Sequence, residues 1–225
     1  MDLETVRARI AEAARRAGRD PAAITIVAVT KGHPIAAARE ALTAGLPDIG
    51  ESRVQEALEK MAAWPDAPVR WHLIGHLQRN KVKHAVGRFA LIHSLDSVRL
   101  AEAVDKEGAA AGLVPDVLVQ VNVVREPQKS GVAPEQAELL VARVAGLPHL
   151  KLCGLMTMAP LTGDVALQRE TFRGLRELRD RLTVDLRLST LNVLSMGMSN
   201  DFEIAVEEGA TMLRLGTVLF GERQP

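Results

Sequence analysis

From residue 24 onward the sequence alternates short apolar segments with longer amphipathic ones. The short segments are four to seven residues long and rich in Val, Ile and Leu, which is typical of strands that are buried on both faces of a parallel sheet. The longer segments carry apolar residues at helical spacing. This alternation predicts parallel strands that are joined by right-handed helical crossovers.

Eight such strands are predicted. They span residues 24–30, 47–50, 70–74, 89–93, 116–122, 150–155, 191–194 and 212–215. The helices between and after them are predicted at residues 34–45, 53–63, 79–86, 97–111, 134–145, 165–182 and 200–208. An extra N-terminal helix is predicted over residues 3–17, with Asp2 as its cap and Gly18 at its end. Eight units close most naturally as a barrel, so we predict one α/β domain over residues 1–225, a (β/α)8 barrel of TIM type. An open doubly wound sheet is the alternative.

The charge balance and composition exclude several classes of partner. Lys and Arg together number 28, as do Asp and Glu, so no net field attracts the chain to nucleic acid or to an anionic membrane. Aromatic residues make up 3% of the sequence, too few for a base-stacking platform. The single cysteine, Cys153, forms no internal disulfide, and no signal peptide or bilayer-length apolar run is found. We therefore expect a cytoplasmic protein.

In barrels of this type the active site lies where strands end and loops begin, so polar residues at those positions are the candidate functional residues. They are Lys31, Glu51, His76, Ser94, Asp96, Asn122, Thr157, Ser195 and Arg214. Lys31 follows six residues without a charge, and an apolar environment disfavours the ammonium form of a lysine. The neutral amine is a nucleophile toward aldehydes, which makes Lys31 a candidate Schiff-base lysine. A solvated lysine that merely ends a strand is the alternative, and position alone favours it.

The loops after the seventh and eighth strands are candidates for binding an anion. Gly197 and the amides that follow it, including that of Met198, lead into a helix whose N-terminus would attract negative charge. Gly216 and Thr217 offer a backbone amide and a hydroxyl after the eighth strand. These two loops form the usual phosphate site of the fold. Two ordinary glycine turns are the alternative interpretation.

Two other features are expected to be structural. His72 and His76 are four residues apart, but we place them on a strand and its exit rather than on a helix. Without a carboxylate or cysteine at ligand spacing, we expect packed or hydrogen-bonding histidines and no metal site. Cys153 lies in an apolar run and is expected to be a small core residue rather than a nucleophile.

Motifs that are spread over nearly the whole chain carry a resemblance to a known family. They lie at residues 28–31, 49–51, 54–56, 71–78, 80–81, 92–96, 120–122, 129–131, 154–156, 194–202, 214–217 and 220–221. Through them the chain resembles the pyridoxal phosphate homeostasis proteins, which are relatives of the barrel domain of alanine racemase. The resemblance implies a barrel like the alanine racemase N-terminal domain and pyridoxal 5′-phosphate (PLP) as the cofactor.

The resemblance also assigns roles to individual residues. It implies a Schiff base on Lys31, an Arg214 that faces the pyridine nitrogen, and a phosphate site made by Ser195, Gly216 and Thr217 with nearby amides. The predicted cofactor-binding residues are therefore Lys31, Ser195, Gly197, Met198, Arg214, Gly216, Thr217, Asn122 and His76. One departure is Ser52, where the family commonly has Asn, because a hydroxyl is shorter than an amide and has one donor.

Two features argue against efficient amino-acid catalysis. The guanidinium of Arg214 can only donate hydrogen bonds, so it favours an unprotonated pyridine nitrogen and weakens the cofactor as an electron sink. Alanine racemase also needs a tyrosine from a partner subunit's additional domain as one of two opposed bases. This sequence contains no tyrosine, and it ends shortly after the eighth predicted strand. A two-base racemase of that design is excluded unless a residue such as His76 replaces the base.

We therefore predict a carrier and regulator of the intracellular PLP pool and of amino-acid balance, with no established catalytic residue. PLP itself and PLP-dependent apoenzymes are the predicted partners, and the chain is expected to be a monomer or weak dimer. A slow PLP-dependent racemase or lyase with Lys31 as its base is the main alternative. A barrel that binds another sugar or nucleotide phosphate without covalent chemistry is the third.

Overall fold

Eight parallel strands form a closed barrel in sequence order in the computed structural model, which describes residues 2–222. The strands are β1 (Thr25–Val29), β2 (Asp48–Glu51), β3 (Arg70–Leu73), β4 (Leu91–Leu95), β5 (Asp116–Gln120), β6 (Lys151–Met156), β7 (Val193–Ser195) and β8 (Met212–Leu215). Strand β8 pairs in parallel with β1 and closes the barrel, with Val27 opposite Arg214. The predicted (β/α)8 barrel is confirmed, and the open doubly wound sheet is wrong.

Helices lie between the strands and form the outer layer. They are α1 (Leu3–Arg16), α2 (Ile35–Thr43), α3 (Val54–Ala63), α4 (Val82–Ala85), α5 (Val98–Ala111), α6 (Pro134–Ala145), α7 (Val165–Asp185), α8 (Phe202–Glu207) and α9 (Thr217–Phe220). The predicted N-terminal helix is α1, and the Asp2 side chain caps it by accepting a hydrogen bond from the Thr5 amide. Across residues 2–222 we find no helix with the length and apolarity that a membrane crossing requires.

The structure differs from the sequence prediction around α4 and β4. The helix predicted over residues 79–86 is a 3-10 turn, Arg79–Lys81, followed by the single turn of α4. Only Val82, Ala85 and Val86 are buried in this stretch, so little apolar surface stabilises a longer helix. Strand β4 begins two residues later than predicted because the Phe89 amide still donates to the carbonyl of Ala85.

Strand side chains alternate between an outer layer against the helices and the barrel lumen. The outer layer is the large apolar core, which contains residues of both strands and helices. The lumen holds a second, smaller apolar cluster, made by Val27, Leu91, Leu118, Met156 and Met212. Cys153 packs against this cluster and is half-buried, and burial raises the pKa of its thiol to about 11. The thiol is therefore a poor nucleophile at neutral pH, as its sequence context indicates.

The lumen also contains polar side chains that are almost completely buried. They are Asp48, His72, His93, Ser195 and Arg214, none more than 4% exposed. Barrels of this type are filled mainly by branched apolar residues, and buried polar groups are costly unless they are hydrogen-bonded. Each of these five side chains does have a hydrogen-bond partner within the lumen.

Candidate functional site

Closure of the barrel brings the predicted lysine and the predicted anion-binding loop to the same edge. Lys31 follows β1 and is half-buried, and Gly216 follows β8, the hydrogen-bonded neighbour of β1. A Cβ atom at Gly216 would lie 3.3 Å from the carbonyl oxygen of Val29, so this glycine sits directly against the end of β1. The first and last strands therefore supply the two halves of one site.

The half that is predicted to bind an anion contains a serine that the sequence alone did not single out. Ser199, in the loop after β7, accepts hydrogen bonds on its Oγ from the amides of Gly216, at 3.4 Å, and Val218, at 3.2 Å. Thr217 lies between these two amides, and its side chain is exposed. Two amides thus converge on the hydroxyl oxygen of Ser199, next to a second hydroxyl, that of Thr217. A donor set of this kind fits a phosphate group, whose oxygens are strong acceptors.

Gly197 and Met198 shape the loop that carries Ser199. Gly197 has φ +94°, and a Cβ there would lie 2.6 Å from the Cβ of Ala205 and 2.9 Å from Leu213 Cδ2. The glycine is therefore required both for the left-handed backbone and for close packing between α8 and β8. The amide of Met198 donates to Asp201 Oδ1 at 2.5 Å, so this N–H is already engaged within the loop.

Arg214 is buried at the carboxyl end of β8 and is held by two hydrogen bonds. Its Nη1 donates to Ser195 Oγ at 2.7 Å, and its Nη2 donates to the carbonyl oxygen of Thr157 at 2.9 Å. Burial lowers the pKa of the guanidinium to about 10, and the charge of Asp201 opposes this shift. At neutral pH Arg214 remains a cation with further N–H donors.

The structure places Ser195 beside Arg214 rather than beside the amides of Gly216 and Val218. Its hydroxyl is completely buried, and besides Arg214 it lies 2.9 Å from His93 Nδ1. Ser199 is thus better placed than Ser195 to contact a phosphate. The Ser195 side chain therefore contacts the guanidinium, and its contact with a phosphate stays a prediction.

Asn122 and His76 both lie at the carboxyl end of the barrel, but each has a nearby partner. The Asn122 side chain uses both ends of its amide within the loop after β5: Nδ2 donates to the Glu126 carbonyl at 2.8 Å, and Oδ1 accepts from the Glu126 amide at 3.1 Å. His76 is exposed, with its Nδ1 3.2 Å from Asp96 Oδ2. Their contact with a cofactor stays a prediction.

A buried ion-pair network lies behind the Lys31 loop, between the barrel wall and α3. Lys60 Nζ donates to Glu51 Oε1 at 2.6 Å, to Glu56 Oε1 at 2.9 Å and to the carbonyl of Thr30 at 2.7 Å. Burial raises the pKa of Glu51, although Lys60 and Thr30 oppose the shift by hydrogen bonding. Glu51 Oε2 is buried and has no hydrogen-bond partner among the described residues.

This network fixes the backbone on both sides of Lys31. Thr30 Oγ1 donates to Glu51 Oε1 at 2.5 Å, and the Gly32 amide donates to Glu56 Oε1 at 2.6 Å. The residue before the lysine and the residue after it are therefore tied to the same pair of carboxylates. The spacing of Glu56 and Lys60, four residues apart on a helix, is the sequence signal from which part of this network follows.

The described part of the chain was searched for groups of side chains that could bind a metal ion. Across residues 2–222, no three His, Cys, Asp or Glu side chains are grouped closely enough to hold a metal ion. The histidines at positions 72 and 76 do not share a site: His72 is buried in the lumen, and His76 is exposed at the rim.

Comparisons with known proteins agree with this geometry. The family model for the alanine racemase N-terminal domain matches residues 1–224. The pyridoxal phosphate homeostasis protein of Pseudomonas aeruginosa is 47% identical over 223 residues, which cover 99% of this chain and 94% of that protein. The protein of the same name from Aquifex aeolicus is 46% identical over 222 residues, covering 99% of this chain and 97% of that protein.

A solved structure extends the comparison to three dimensions. PipY of Synechococcus elongatus, solved with PLP bound, superposes with a TM-score of 0.84 at 39% identity, and the match covers 94% of this chain and all of that one. Sequence identity and fold agree over almost the full length of the relatives. The chain therefore belongs to the pyridoxal phosphate homeostasis proteins, within the alanine racemase N-terminal domain family.

Proposed function

We propose that this protein binds PLP through a Schiff base on Lys31 and acts in homeostasis of the cofactor, as a carrier that holds PLP reversibly. The observation that supports this most directly is the convergence of the Gly216 and Val218 amides on Ser199, next to the end of the strand that leads to Lys31. The names of the relatives and the PLP-bound PipY structure agree with it.

The residues present suit the parts of the cofactor. We assign the phosphate to the hydroxyls of Ser199 and Thr217 and to the Gly216 and Val218 amides, which would exchange Ser199 Oγ for a phosphate oxygen as their acceptor. We assign the pyridine nitrogen to Arg214, whose remaining N–H groups can donate to it. When bound, PLP supplies an aldehyde that forms a reversible imine with amines.

The other residues of the site act on these contacts indirectly. Ser195 and Thr157 hold the guanidinium of Arg214 in place. The ion pairs of Lys60 hold the backbone on either side of Lys31. Because an imine exchanges readily between amines, Lys31 can give up the cofactor to another lysine. We therefore propose PLP-dependent apoenzymes as the recipients.

Ser199→Ala tests the phosphate assignment. We expect it to weaken binding of PLP about tenfold, because a hydroxyl contact to a charged group is lost, and to leave binding of pyridoxal, which lacks the phosphate, unchanged. Ser189→Ala, at an exposed serine after α7, is the matched control. Equilibrium titration with the two ligands gives both affinities. An equal loss for both ligands would place the phosphate elsewhere.

Deuterium exchange at the α-carbon separates the carrier from a slow racemase or lyase. The sequence contains no tyrosine, and Arg214 disfavours a protonated pyridine ring. We therefore expect amino acids incubated with the loaded protein in D2O to exchange no faster than with the same concentration of free PLP, as followed by proton NMR. Exchange that is at least a hundredfold faster, and that Lys31→Arg abolishes, would instead establish an enzyme.

A further inference from the structure

A single chain of hydrogen bonds crosses the lumen from Arg214 to Asp48. Arg214 Nη1 lies 2.7 Å from Ser195 Oγ, which lies 2.9 Å from His93 Nδ1. His93 Nε2 lies 3.0 Å from His72 Nδ1, and His72 Nε2 lies 2.8 Å from Asp48 Oδ1. Asp48 is the first residue of β2, at the opposite end of the barrel from the proposed cofactor site.

The two ends of the chain fix the direction of the two terminal hydrogen bonds. A guanidinium can only donate, and a carboxylate can only accept. Burial acts to raise the pKa of Asp48, but hydrogen bonds from His72 and Arg70 outweigh it and bring the pKa to about 2, so this group is ionised at neutral pH. Burial, with the nearby charge of Arg214, lowers the pKa of His93 well below its usual value, so His93 is neutral.

An arrangement with one proton on each imidazole satisfies all four contacts. Asp48 accepts from His72 Nε2–H, and His72 Nδ1 accepts from His93 Nε2–H. His93 Nδ1 then accepts the hydroxyl proton of Ser195, whose oxygen is left to accept from Arg214. In this arrangement both histidines are Nε2–H tautomers. The only hydroxyl proton of Ser195 points away from the guanidinium.

We propose that His93 and His72 are positioning residues for Arg214. Because Asp48 accepts a hydrogen bond from His72, each hydrogen bond along the chain points toward Asp48, and the Ser195 oxygen is left as an acceptor. That oxygen then holds the guanidinium in the orientation that faces the cofactor ring. The inference rests on the proposed function, in which Arg214 contacts the pyridine nitrogen. Arg70, which donates to Asp48 Oδ1 at 2.6 Å, anchors the other end of the chain near the protein surface.

The proton arrangement can be tested without any cofactor. The protein has six histidines, so ¹⁵N NMR of the imidazole nitrogens is tractable, and the signals that disappear in His72→Gln and His93→Gln assign the two residues. We expect both to be neutral Nε2–H tautomers at pH 7.5. An Nδ1–H tautomer at either position, or an imidazolium at His72, would overturn the directional chain.

The positioning role is tested by asking whether the effect of His93 on PLP affinity depends on Arg214. We expect His93→Gln and the smaller change Ser195→Ala each to weaken PLP binding about tenfold. This factor corresponds to the free energy of one hydrogen bond to a charged group. In an Arg214→Gln background the same changes should have no further effect, because the group they orient is absent. His149→Gln, at a partly exposed histidine outside the lumen, should leave affinity unchanged.

The outcomes separate this inference from the proposed function. If His93→Gln weakens binding equally with and without Arg214, the residue does not act through the guanidinium and the positioning role is wrong. The positioning role would also be excluded if both His93→Gln and Ser195→Ala kept full affinity for PLP. If the wild-type protein binds no PLP, the proposed function fails, while the NMR measurement still decides whether the directional chain exists.

Discussion

Replacing Lys31 with arginine is expected to abolish covalent attachment of PLP completely. Arginine keeps the positive charge and a similar length, but its guanidinium stays protonated and forms no Schiff base. The wild-type protein with PLP should show an imine absorbance band, and borohydride reduction should fix the cofactor on the peptide that contains Lys31. Lys31→Arg should show neither. Absorbance spectroscopy followed by mass-spectrometric peptide mapping measures both signals.

Lys106→Arg provides the matched control, because Lys106 lies on the exposed side of α5, outside the proposed site. It should keep both the band and the label at Lys31. Label that persists in Lys31→Arg, or that scatters over surface lysines in the wild type, would refute the Schiff-base assignment. A barrel that binds a phosphate ligand without covalent chemistry would then become the working interpretation.

The largest loss of stability is expected from Lys60→Met. The Glu51 side chain is completely buried, and Lys60 is the only cation paired with it among the described residues. Removing one partner of a buried ion pair typically costs about 3–5 kcal/mol in the free energy of unfolding. Urea denaturation at pH 7 measures that loss.

The same variant should recover part of its stability in acid. Without Lys60, the folded-state pKa of Glu51, which burial already raises, rises further above its unfolded value. The folded state then binds a proton that the unfolded state lacks, so the deficit relative to wild type shrinks as the pH falls from 7 toward 5.

Two further variants show whether the unpaired charge is the cause. Lys60→Met combined with Glu51→Gln removes both charges and should regain most of the lost stability. Lys83→Met, at an exposed lysine of α4, should change stability by no more than about 0.5 kcal/mol. If the double variant is as unstable as Lys60→Met alone, lost packing rather than an uncompensated carboxylate explains the effect.

The barrel could be predicted from the sequence because its signals are local. Runs such as residues 24–30 are short, apolar and flanked by helical patterns, and eight of them in alternation leave few topologies. The exact bounds of the strands and helices were harder to predict from the sequence. Strand β4 was predicted two residues too early, and the short helix α9 was missed. One turn of helix has too little periodicity to be detected in a sequence.

The residues of the proposed site could be named from the sequence only in part. Lys31 and Gly216 follow from their positions at strand ends, and the resemblance supplied Arg214; their contacts with PLP stay predictions. Ser199 was not singled out, because its contacts with the Gly216 and Val218 amides depend on how the loop after β7 approaches the loop after β8, and sequence spacing carries no such information. The resemblance suggested Ser195 for the phosphate, whereas the structure places its hydroxyl in the lumen.

The polar chain through the lumen lay beyond the reach of sequence reasoning. Asp48, His72, His93 and Ser195 come from four different strands, and they align only when the registers of those strands are known. An isolated histidine in an apolar run is compatible with many environments. Knowledge of the closed barrel and its register was needed to show that these side chains form one connected network.

The pairing of β8 with β1 also makes the proposed cofactor site dependent on complete folding. Lys31 follows the first strand and Gly216 follows the last, so 185 residues separate them along the chain (216 − 31). During synthesis the lysine emerges long before its partners, and a partly folded chain offers PLP no more than any other exposed amine. Because a ligand stabilises only the state that binds it, PLP would favour the fully closed barrel over intermediates in which the last strand has not docked.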